Sequence, residues 1–435
     1  MRLVVTADGL DNPEWVADGV VEAIETFTRD LPTVAGRVKP LIALPLVGTG
    51  EGGFIHKRGL LIKTLLPRLH EVAIAADVDV ALVLRDDRDH VAIQGQRSAE
   101  DWQDFDSRHL ELADDLGARA ARGELSLFLG SGVSVPLGLP DWHDLLEDIA
   151  GEPLTNYSAE KAPGIAQALS DELGTDSFHG LVAERLQVSG YAPAHMLLAA
   201  LDVQQTVTTN YDVAYELALS AVRGTNAYQV LARQPAIQPR PWVLKLHGDV
   251  RMPESVVITT DDYARLAKDH GPLVGLVESL LMTSHLMFVG FSMGDPDFDE
   301  AAKRVSQVRA LAEEIPDAHL ATVLALGPES VVQRPEFATV AMSYGDSHGE
   351  AARKLEIFID RVSWAAARHR SRSNSYLLDD DYADLFVHDI TATALRRALE
   401  NLVALPVDHQ ARRNAGWARV EAMLTELGAK PTHAS

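Results

Sequence analysis

Residues 125–134 read Leu125-Ser126-Leu127-Phe128-Leu129-Gly130-Ser131-Gly132-Val133-Ser134, and this stretch decides the fold class. Its first half is a short apolar run typical of a buried strand, and its second half is a turn of small residues. Glycines in such a turn allow backbone N–H groups to approach a phosphate, and a helix beyond the turn would add a favourable dipole. The alternative is an ordinary tight turn between a strand and a helix.

Apolar runs of the same kind recur downstream. They are nearly continuous, which predicts strands buried on both faces of a parallel sheet that helices cover. The predicted strands are 125–129, 204–209, 242–247, 255–260, 285–291 and 319–326. The predicted helices are 142–150, 212–222, 272–284, 297–314 and 349–366. Residues 152–200 show no convincing strand and predict a mostly helical insert. We therefore expect an α/β fold with a Rossmann-like parallel sheet.

Clusters of small and polar residues lie just past the carboxyl ends of these predicted strands. In chain order they are the turn 130–134, Pro140-Asp141-Trp142, Thr208-Thr209-Asn210-Tyr211-Asp212, Lys245-Leu246-His247-Gly248 and Gly290-Phe291-Ser292. Open α/β sheets bind their ligands at this edge. The sequence therefore predicts a ligand site there.

The ordered set of five motifs resembles the SIR2 (sirtuin) fold of NAD-binding proteins over residues 120–330. Protein-deacylating sirtuins carry a four-cysteine zinc module after the His-Gly motif, whereas this chain has no cysteine. Ser131 replaces the usual alanine of the loop, and Trp142-His143 replaces the usual Phe-Arg pair. The pattern is more similar to the SIR2-like domains of bacterial anti-phage effectors, which hydrolyse NAD.

The resemblance implies two catalytic residues, Asn210 and His247. The Asn210 amide can hydrogen-bond a ribose hydroxyl or the attacking water, and His247 can accept a proton near neutral pH. Taken singly, Asn210 also suits a turn, and His247 also suits a buried histidine satisfied by backbone. The resemblance assigns the following residues to cofactor binding: Gly130, Ser131, Gly132, Ser134, Pro140, Asp141, Trp142, Asp212, Gly290, Phe291, Ser292 and Asp295.

Several of these side chains have a second interpretation. Asp212 is also placed to cap the following helix. Trp142 is suited either to stack on nicotinamide or to fill a core. Asp295 and Asp297 are suited to hold ribose hydroxyls or to cap a helix, and capping is favoured for Asp297. His195 lies on an apolar helical face and is interpreted as packed.

A second glycine-rich loop, Gly48-Thr49-Gly50-Glu51-Gly52-Gly53-Phe54, follows an apolar run near the N-terminus. It resembles the phosphate-cradling loop of macro domains, which bind ADP-ribose and its relatives. The other macro loop, an Asn-Ala-Ala-Asn-like sequence, is missing. Two interpretations remain: a second ligand site formed by Gly48, Thr49, Gly50, Gly52 and Gly53, or a structural or partner-docking domain.

These patterns divide the chain into four regions. They are a small α/β, macro-like domain at 1–95, a polar linker at 96–119, the SIR2-like domain at 120–366 and a helical C-terminal tail at 376–435. Within the first region the predicted strands are 2–6, 40–47 and 78–84, and the predicted helices are 13–28 and 57–76.

Composition excludes several classes of function. The chain has 435 residues and a net charge of −24, which repels nucleic acid and anionic membranes unless a local basic patch is present. The absence of cysteine excludes disulfides, thiol nucleophiles and cysteine zinc sites. No targeting segment or stretch of about 18 apolar residues is evident, so we expect a cytoplasmic protein.

The leading hypothesis is an NAD+ glycohydrolase that acts as an anti-phage effector, with NAD+ as its substrate and no metal. A catalytically silent subunit that binds NAD or ADP-ribose is the first alternative, and a protein lysine deacylase is the second. The resemblance further implies a homo-oligomer, with a HerA-type ATPase or an Argonaute-like protein as a partner. The net charge of −24 predicts no direct binding to nucleic acid or membrane.

Overall fold

The computed structural model describes residues 12–29, 37–50, 53–155, 157–158, 160–232, 240–269, 271–293, 296–309, 320–329, 331, 336–405 and 415–430. These residues divide into two compact units. The first comprises the described residues of the segments Met1–Val34, Lys39–Asp104 and Ala367–Ser435. The second comprises Phe105–Ala366 together with Arg37 and Val38.

Single helices separate some of the strands, and runs of two to four helices separate others. The helices are α1 (Pro13–Thr28), α2 (Arg58–Ala75), α3 (Asp87–Gln96), α4 (Ser107–Arg122), α5 (Trp142–Ala150), α6 (Ala162–Leu173), α7 (Thr175–Arg185), α8 (Pro193–Ala200), α9 (Ala214–Arg223), α10 (Thr260–Asp269), α11 (Gly271–Thr283), α12 (Pro296–Arg309), α13 (His348–His369), α14 (Ile390–Val403) and α15 (Ala415–Glu426). The strands are β1 (Leu41–Pro45), β2 (Asp79–Val83), β3 (Leu125–Leu129), β4 (Gln205–Thr208), β5 (Gln229–Leu231), β6 (Trp242–Lys245), β7 (His285–Val289), β8 (Ala321–Ala325) and β9 (Phe337–Ala341). None of the described helices combines the length and the apolar character needed to cross a membrane.

The first unit is built on a parallel pair of strands, β1 and β2, which α2 connects. The predicted strands 40–47 and 78–84 and the predicted helices 13–28 and 57–76 are all present. The predicted strand 2–6 lies outside the described residues.

The C-terminal residues belong to this first unit and do not form the separate tail predicted at 376–435. Tyr376, Tyr382 and Leu385 are buried in one apolar cluster with side chains of α1 and α2. The Tyr382 hydroxyl also donates a hydrogen bond to Asp89 over 2.8 Å. Burial of these aromatic rings is the physical reason, because apolar surface is removed from water when the C-terminal residues pack on α2.

The second unit is a seven-stranded sheet with the strand order β5-β6-β4-β3-β7-β8-β9, and every neighbouring pair is parallel. Apolar clusters lie on both faces. Leu125, Leu127 and Leu129 pack into the cluster that contains side chains of α4, α8 and α13. Phe128, which points the other way, packs into the cluster that contains side chains of α11 and α12. The expected doubly covered parallel sheet is therefore confirmed.

Two short strands at the edges of the sheet were not predicted, and one predicted strand is wrong. Strands β5 and β9 are partly exposed, which weakens the apolar pattern that marks a strand. Residues 255–260 form no strand: they run from the end of a short 3₁₀ turn to the first residue of α10, although Val256 and Ile258 are buried. Both side chains pack into the apolar cluster of the helical insert. Their apolar pattern therefore reflects burial without strand pairing.

The segment 96–119, predicted as a linker, is largely helical. Helix α4 starts at Ser107 and buries Ala113, Leu116, Gly117 and Ala120 on one face, while its other face is charged. A Cβ atom on Gly117 would lie 2.7 Å from the backbone nitrogen of Ala366, which shows how closely α4 approaches α13. The high charge of this amphipathic helix gives its sequence the polar composition that is typical of a linker.

We expect Gly59→Ala to destabilise the protein. A Cβ atom on Gly59 would lie 2.8 Å from the Tyr382 backbone, and overpacking of this kind costs about 1–3 kcal/mol. The matched control is Gly19→Ala in α1, where the new Cβ meets nothing within 4 Å and helix propensity predicts stabilisation by about 0.5–1 kcal/mol. The measurement is chemical denaturation of both variants. Equal effects of the two substitutions would contradict the close packing of Tyr382 on α2.

Candidate functional site

The predicted site residues begin at one edge of the large sheet. Leu129 in β3 pairs in register with Thr208 in β4 and with Val289 in β7, and Thr208 pairs with Lys245 in β6. The four strands therefore end together, and the loops that follow them start side by side. The chain places β4, β6 and β5 on one side of β3 and β7, β8 and β9 on the other. Open α/β sheets bind ligands at such a reversal of strand order.

The glycines of the first and last motifs join two loops. The Gly130 N–H donates to the Val289 carbonyl and the Gly132 N–H donates to the Gly290 carbonyl, each over 3.0 Å. A Cβ atom would lie 2.7 Å from Phe291 Cα if added to Gly130, and 2.8 Å from Gly290 Cα if added to Gly132. Gly290 itself has φ +65°. These glycines therefore permit close contact between the loops, and two of the N–H groups expected to face a phosphate already donate within the protein.

The Asn210 amide is held in one orientation. Its Nδ2 donates to the Gly130 carbonyl over 3.1 Å and to Ser134 Oγ over 3.3 Å. Its backbone N–H donates to Thr208 Oγ1 over 3.0 Å. Because a carbonyl only accepts, the nitrogen of the amide must face Gly130. Within the described part of the chain no group donates to Asn210 Oδ1, which is buried.

A chain of hydrogen bonds lies behind Asn210. Ser134 Oγ donates to Asp212 Oδ2 over 2.9 Å and lies 3.2 Å from His195 Nε2. His195 Nδ1 accepts from the Ala192 N–H over 3.2 Å, and Asp212 Oδ1 accepts from the Ala214 N–H at the start of α9 over 2.9 Å. Asp212 therefore lies one residue before the N-cap of α9, and it binds both the first N–H of this helix and the Ser134 hydroxyl. His195 is buried, as predicted, but it is also hydrogen-bonded to the site.

His247 is buried directly after β6, in the loop next to that of Asn210. Its ring meets the Tyr263 ring edge to face, with centroids 5.5 Å apart and an interplanar angle of 81°. Its carbonyl accepts from the Val257 N–H over 2.8 Å. The next residue, Gly248, has φ +94°, and a Cβ there would lie 2.8 Å from Ser255 Oγ. Glycine is therefore required directly after the histidine.

The sequence did not single out Lys245 beyond its place in a motif, yet its side chain is fully buried. Its ammonium donates to the Tyr211 carbonyl over 2.9 Å and also to the Asp212 carbonyl. The same ammonium lies 3.2 Å from Glu216 Oε1 and 3.7 Å from Asp249 Oδ2. Lys245 therefore ties the loop that carries Asn210 to two buried carboxylates. The only sequence signal was a lysine inside an apolar strand.

Arg251 completes this ionic cluster. It donates through Nε to Asp249 Oδ1 over 2.8 Å, and its guanidinium lies 3.5 Å from Glu216 Oε1. Burial raises the pKa of Glu216. Burial acts in the same direction on Asp249, but the hydrogen bond from Arg251 and the charge of Lys245 outweigh it and lower the pKa of Asp249.

The Pro-Asp-Trp motif lies at the start of α5. Asp141 caps this helix by accepting from the Asp144 N–H over 2.9 Å. Trp142 packs against the apolar cluster of the helical insert, and Pro140 is half-buried. Asp141, His143 and Asp144 lie close enough together to contact one ion, but they are largely exposed, and Asp141 already caps the helix.

The remaining predicted residues differ in exposure. Phe291 is buried among aromatic side chains of the sheet core. Ser131 and Ser292 are exposed at the ends of their strands. Asp295 lies outside the described residues, as does the side chain of Asp297.

The second glycine-rich loop is a turn after β1. Gly48 has φ +95° and Gly53 has φ +90°, so both need the conformational freedom of glycine. The Thr49 hydroxyl donates over 2.8 Å to the backbone carbonyl three residues earlier. A Cβ on Gly50 would meet nothing within 4 Å, and Gly52 lies outside the described residues. Two of the glycines are therefore explained by backbone conformation alone.

We expect Lys245→Met to destabilise the protein by about 3–5 kcal/mol, because it removes the buried ammonium that pairs with Glu216 and Asp249 and that donates to two carbonyls, and only Arg251 is then left beside the two carboxylates. Lys268→Met is the control, since Lys268 is exposed on α10 and a surface change there should stay within about 0.5 kcal/mol. Urea denaturation of both variants measures the free energy of unfolding that is compared. A Lys245 variant as stable as the control would show that the buried cluster contributes little.

Stability should depend on the protonation of His195. Burial lowers the pKa of His195 to about 4 from 6.5, although the charge of Asp212 acts in the opposite direction. Between these values the unfolded chain binds a proton that the folded chain does not, so stability is full above about pH 6.5 and is lost as the pH falls. The stability of the wild type relative to His195→Gln, which cannot titrate, should fall by up to about 1.4 kcal/mol per pH unit in this window. If the free energy of unfolding changes with pH in the same way in both proteins, the pKa of His195 is not lowered by burial.

Comparisons with known proteins agree with this geometry. The model of the SIR2-like domain family matches residues 204–344, which contain the loops of Asn210, His247 and Gly290. The chain is 27% identical to Defense-associated sirtuin 2 of Bacillus subtilis over 212 residues, or 46% of this chain and 21% of that protein.

Two further relatives carry the name NAD(+) hydrolase ThsA. The protein from Acinetobacter baumannii (strain 532279) is 27% identical over 210 residues, or 46% of this chain and 43% of the relative. The protein from Bacillus cereus (strain MSX-D12) is 27% identical over 247 residues, or 55% of this chain and 48% of the relative. The chain therefore spans less than half the length of each of these three relatives. The family match, the parallel sheet and the order of the motifs together show that this protein contains a SIR2-like domain.

Proposed function

We propose that the protein is an NAD+ glycohydrolase, which cleaves NAD+ and water to nicotinamide, ADP-ribose and a proton. The observation that carries the proposal is the Asn210 amide, whose nitrogen donates to the protein and whose buried oxygen is left as an acceptor. His247 follows the neighbouring strand, in the region that matches the SIR2-like family. The names of two relatives, NAD(+) hydrolase, support the same reaction.

Cleavage of the bond between nicotinamide and ribose develops positive charge on the anomeric carbon while neutral nicotinamide leaves. Asn210 Oδ1 accepts a hydrogen bond from a ribose hydroxyl or from the attacking water and so orients the reacting groups. His247 accepts a proton from the water or from a ribose hydroxyl. Because these groups are fixed before substrate binds, little reorganisation is needed in the transition state.

The other residues of the edge contribute in different ways under this proposal. Ser131, Gly132 and Ser292 are exposed at the ends of the central strands, where they would contact the dinucleotide. Gly130 and Gly290 hold the two loops together, and Phe291 supports them from the core.

The remaining proposed residues lie farther from the strand ends. Pro140, Asp141 and Trp142 would border the nicotinamide side of the site from α5. Ser134 and Asp212 would act through Asn210. Asp295 is retained as a proposed ribose-binding residue.

The wider role is part of the proposal. The relative from Bacillus subtilis is named a defense-associated sirtuin, which supports an anti-phage effector that acts in the cytoplasm. An NAD+ hydrolase that is always active would poison its own cell, so the first unit, with its macro-like loop, is proposed to hold or release the activity. A homo-oligomer, with a HerA-type ATPase or an Argonaute-like partner, remains the proposed assembly.

Asn210→Ala and His247→Ala should each reduce NAD+ cleavage at least about 100-fold, because each removes a group that orients or deprotonates the reactants. Nicotinamide release by the purified full chain, with EDTA present, is the measurement. Asn226→Ala and His285→Ala are matched controls, since Asn226 precedes β5 and His285 begins β7, at the opposite edge of the sheet. Both controls should keep their activity.

Three outcomes would contradict parts of this proposal. Retention of more than about a tenth of the wild-type rate in both site variants would exclude their catalytic roles. Nicotinamide release only in the presence of an acetylated peptide would instead identify a lysine deacylase. Loss of activity in EDTA with recovery on adding zinc or magnesium would show that a metal takes part.

A further inference from the structure

We infer that His195, on helix α8, is a positioning residue that acts through Ser134 to hold the Asn210 amide in its reactive orientation. The inference rests on the proposed hydrolase function, because it assigns a purpose to the orientation of Asn210. His195 is 1% exposed, and its two ring nitrogens bond to Ser134 and to the Ala192 N–H. Any influence of His195 on the reaction must therefore pass through its hydrogen bonds.

The tautomer of His195 follows from its partners. The Ala192 backbone N–H can only donate, and it points at His195 Nδ1 over 3.2 Å. Nδ1 is therefore the unprotonated nitrogen of the neutral ring, and Nε2 carries the hydrogen. His195 Nε2 then donates to Ser134 Oγ, which lies 3.2 Å away.

Every hydrogen-bonding position of the Ser134 hydroxyl is then used. A hydroxyl offers one donor and two acceptor positions. Ser134 donates to Asp212 Oδ2 over 2.9 Å and accepts from His195 Nε2 and from Asn210 Nδ2. The donors from His195 and Asn210 together direct the serine hydrogen towards the Asp212 carboxylate, because the hydrogen cannot point at another donor. The remaining lone pair of the oxygen is left for Asn210.

The hydrogen bonds of Ser134 determine whether the Asn210 amide presents its nitrogen or its oxygen to a ligand. With both amide hydrogens engaged, at Gly130 and Ser134, the amide offers only Oδ1 to a ligand. Without His195 the Ser134 oxygen loses one of its two donors, so the hydroxyl is held less tightly between Asp212 and Asn210, and the amide of Asn210 is held less tightly in turn. Substrate affinity should change little, whereas turnover should fall, because the acceptor is needed at the reacting ribose or water.

Two substitutions separate positioning from structural support. His195→Gln places an amide nitrogen close to the position of Nε2, so the donor to Ser134 is kept while the acceptor for Ala192 is lost. His195→Asn places an amide oxygen close to the position of Nδ1, so the acceptor for Ala192 is kept and the donor to Ser134 is lost. If His195 only supports the fold through Ala192, the Asn variant should be the more active of the two. If His195 positions Asn210 through Ser134, the Gln variant should be the more active.

The experiment compares kcat and KM for NAD+ in the full chain, with thermal unfolding measured in parallel. We expect His195→Gln to stay within about threefold of the wild-type kcat and His195→Asn to lose at least about tenfold, or about 1.4 kcal/mol, with KM changed less than about threefold. Equal losses in kcat, or a more active Asn variant, would overturn the inference.

A second measurement tests the inference without turnover, so that its failure differs from failure of the hydrolase proposal. In full-length protein labelled with 15N-asparagine, the side-chain NH2 signals of Asn210 are assigned by their loss in Asn210→Asp. Hydrogen exchange of these signals should be unchanged in His195→Gln and faster in His195→Asn. A wild type that does not cleave NAD+ would refute the hydrolase function, whereas identical exchange in the two His195 variants would refute the positioning role.

Discussion

The buried ammonium of Lys245 is the interaction on which the site depends. A buried lysine is tolerated only when its charge is paired and its hydrogens find acceptors. Here the carboxylates of Glu216 and Asp249 supply the charge, and the carbonyls of Tyr211 and Asp212 supply the acceptors. Since Tyr211 and Asp212 directly follow Asn210, the loop cannot move away from β6 without leaving a buried charge unsatisfied. The position of Asn210 is thus set by electrostatics beneath the loop.

From this loop the constraint extends across the edge of the sheet. The Asn210 amide bonds to Gly130 after β3, and Gly132 bonds to Gly290 after β7. Three neighbouring loops are therefore connected by hydrogen bonds that cross from strand to strand. The glycines are needed because backbone approaches backbone at these contacts, where a Cβ would overlap. The edge is preorganised, which suits a reaction in which charge develops at a fixed point.

The sheet could be predicted because β3, β7 and β8 are buried on both faces and therefore appear as continuous apolar runs. The loops of Asn210 and His247 could be located because parallel strands end together, so residues after separate strands fall at one edge. The spacing of apolar residues along the chain gives no information about hydrogen bonds that depend on a single polar side-chain atom. Nothing near His195 in the sequence indicates that its ring reaches Ser134.

Two misassignments have the same physical origin. Val256 and Ile258 are apolar because they fill the core of the helical insert, and strand pairing plays no part. The polar residues that precede the C-terminal segment predict a separate tail, but Tyr376 and Tyr382 are buried with α2. In both places the apolar residues of the sequence correctly indicate burial. The side chains that cover them come from another part of the chain, which the local sequence does not reveal.

The hydrogen bonds behind Asn210 have directions set at both ends. They begin at the backbone N–H of Ala192, which can only donate, and they reach Asp212, whose two oxygens accept from Ser134 and Ala214. Between these ends each hydrogen has one consistent position as long as His195 stays neutral. Burial lowers the pKa of His195 to about 4, so the ring is neutral throughout the physiological range. The orientation of Asn210 is therefore insensitive to pH near neutrality, and any pH dependence of the proposed reaction there must arise outside this network.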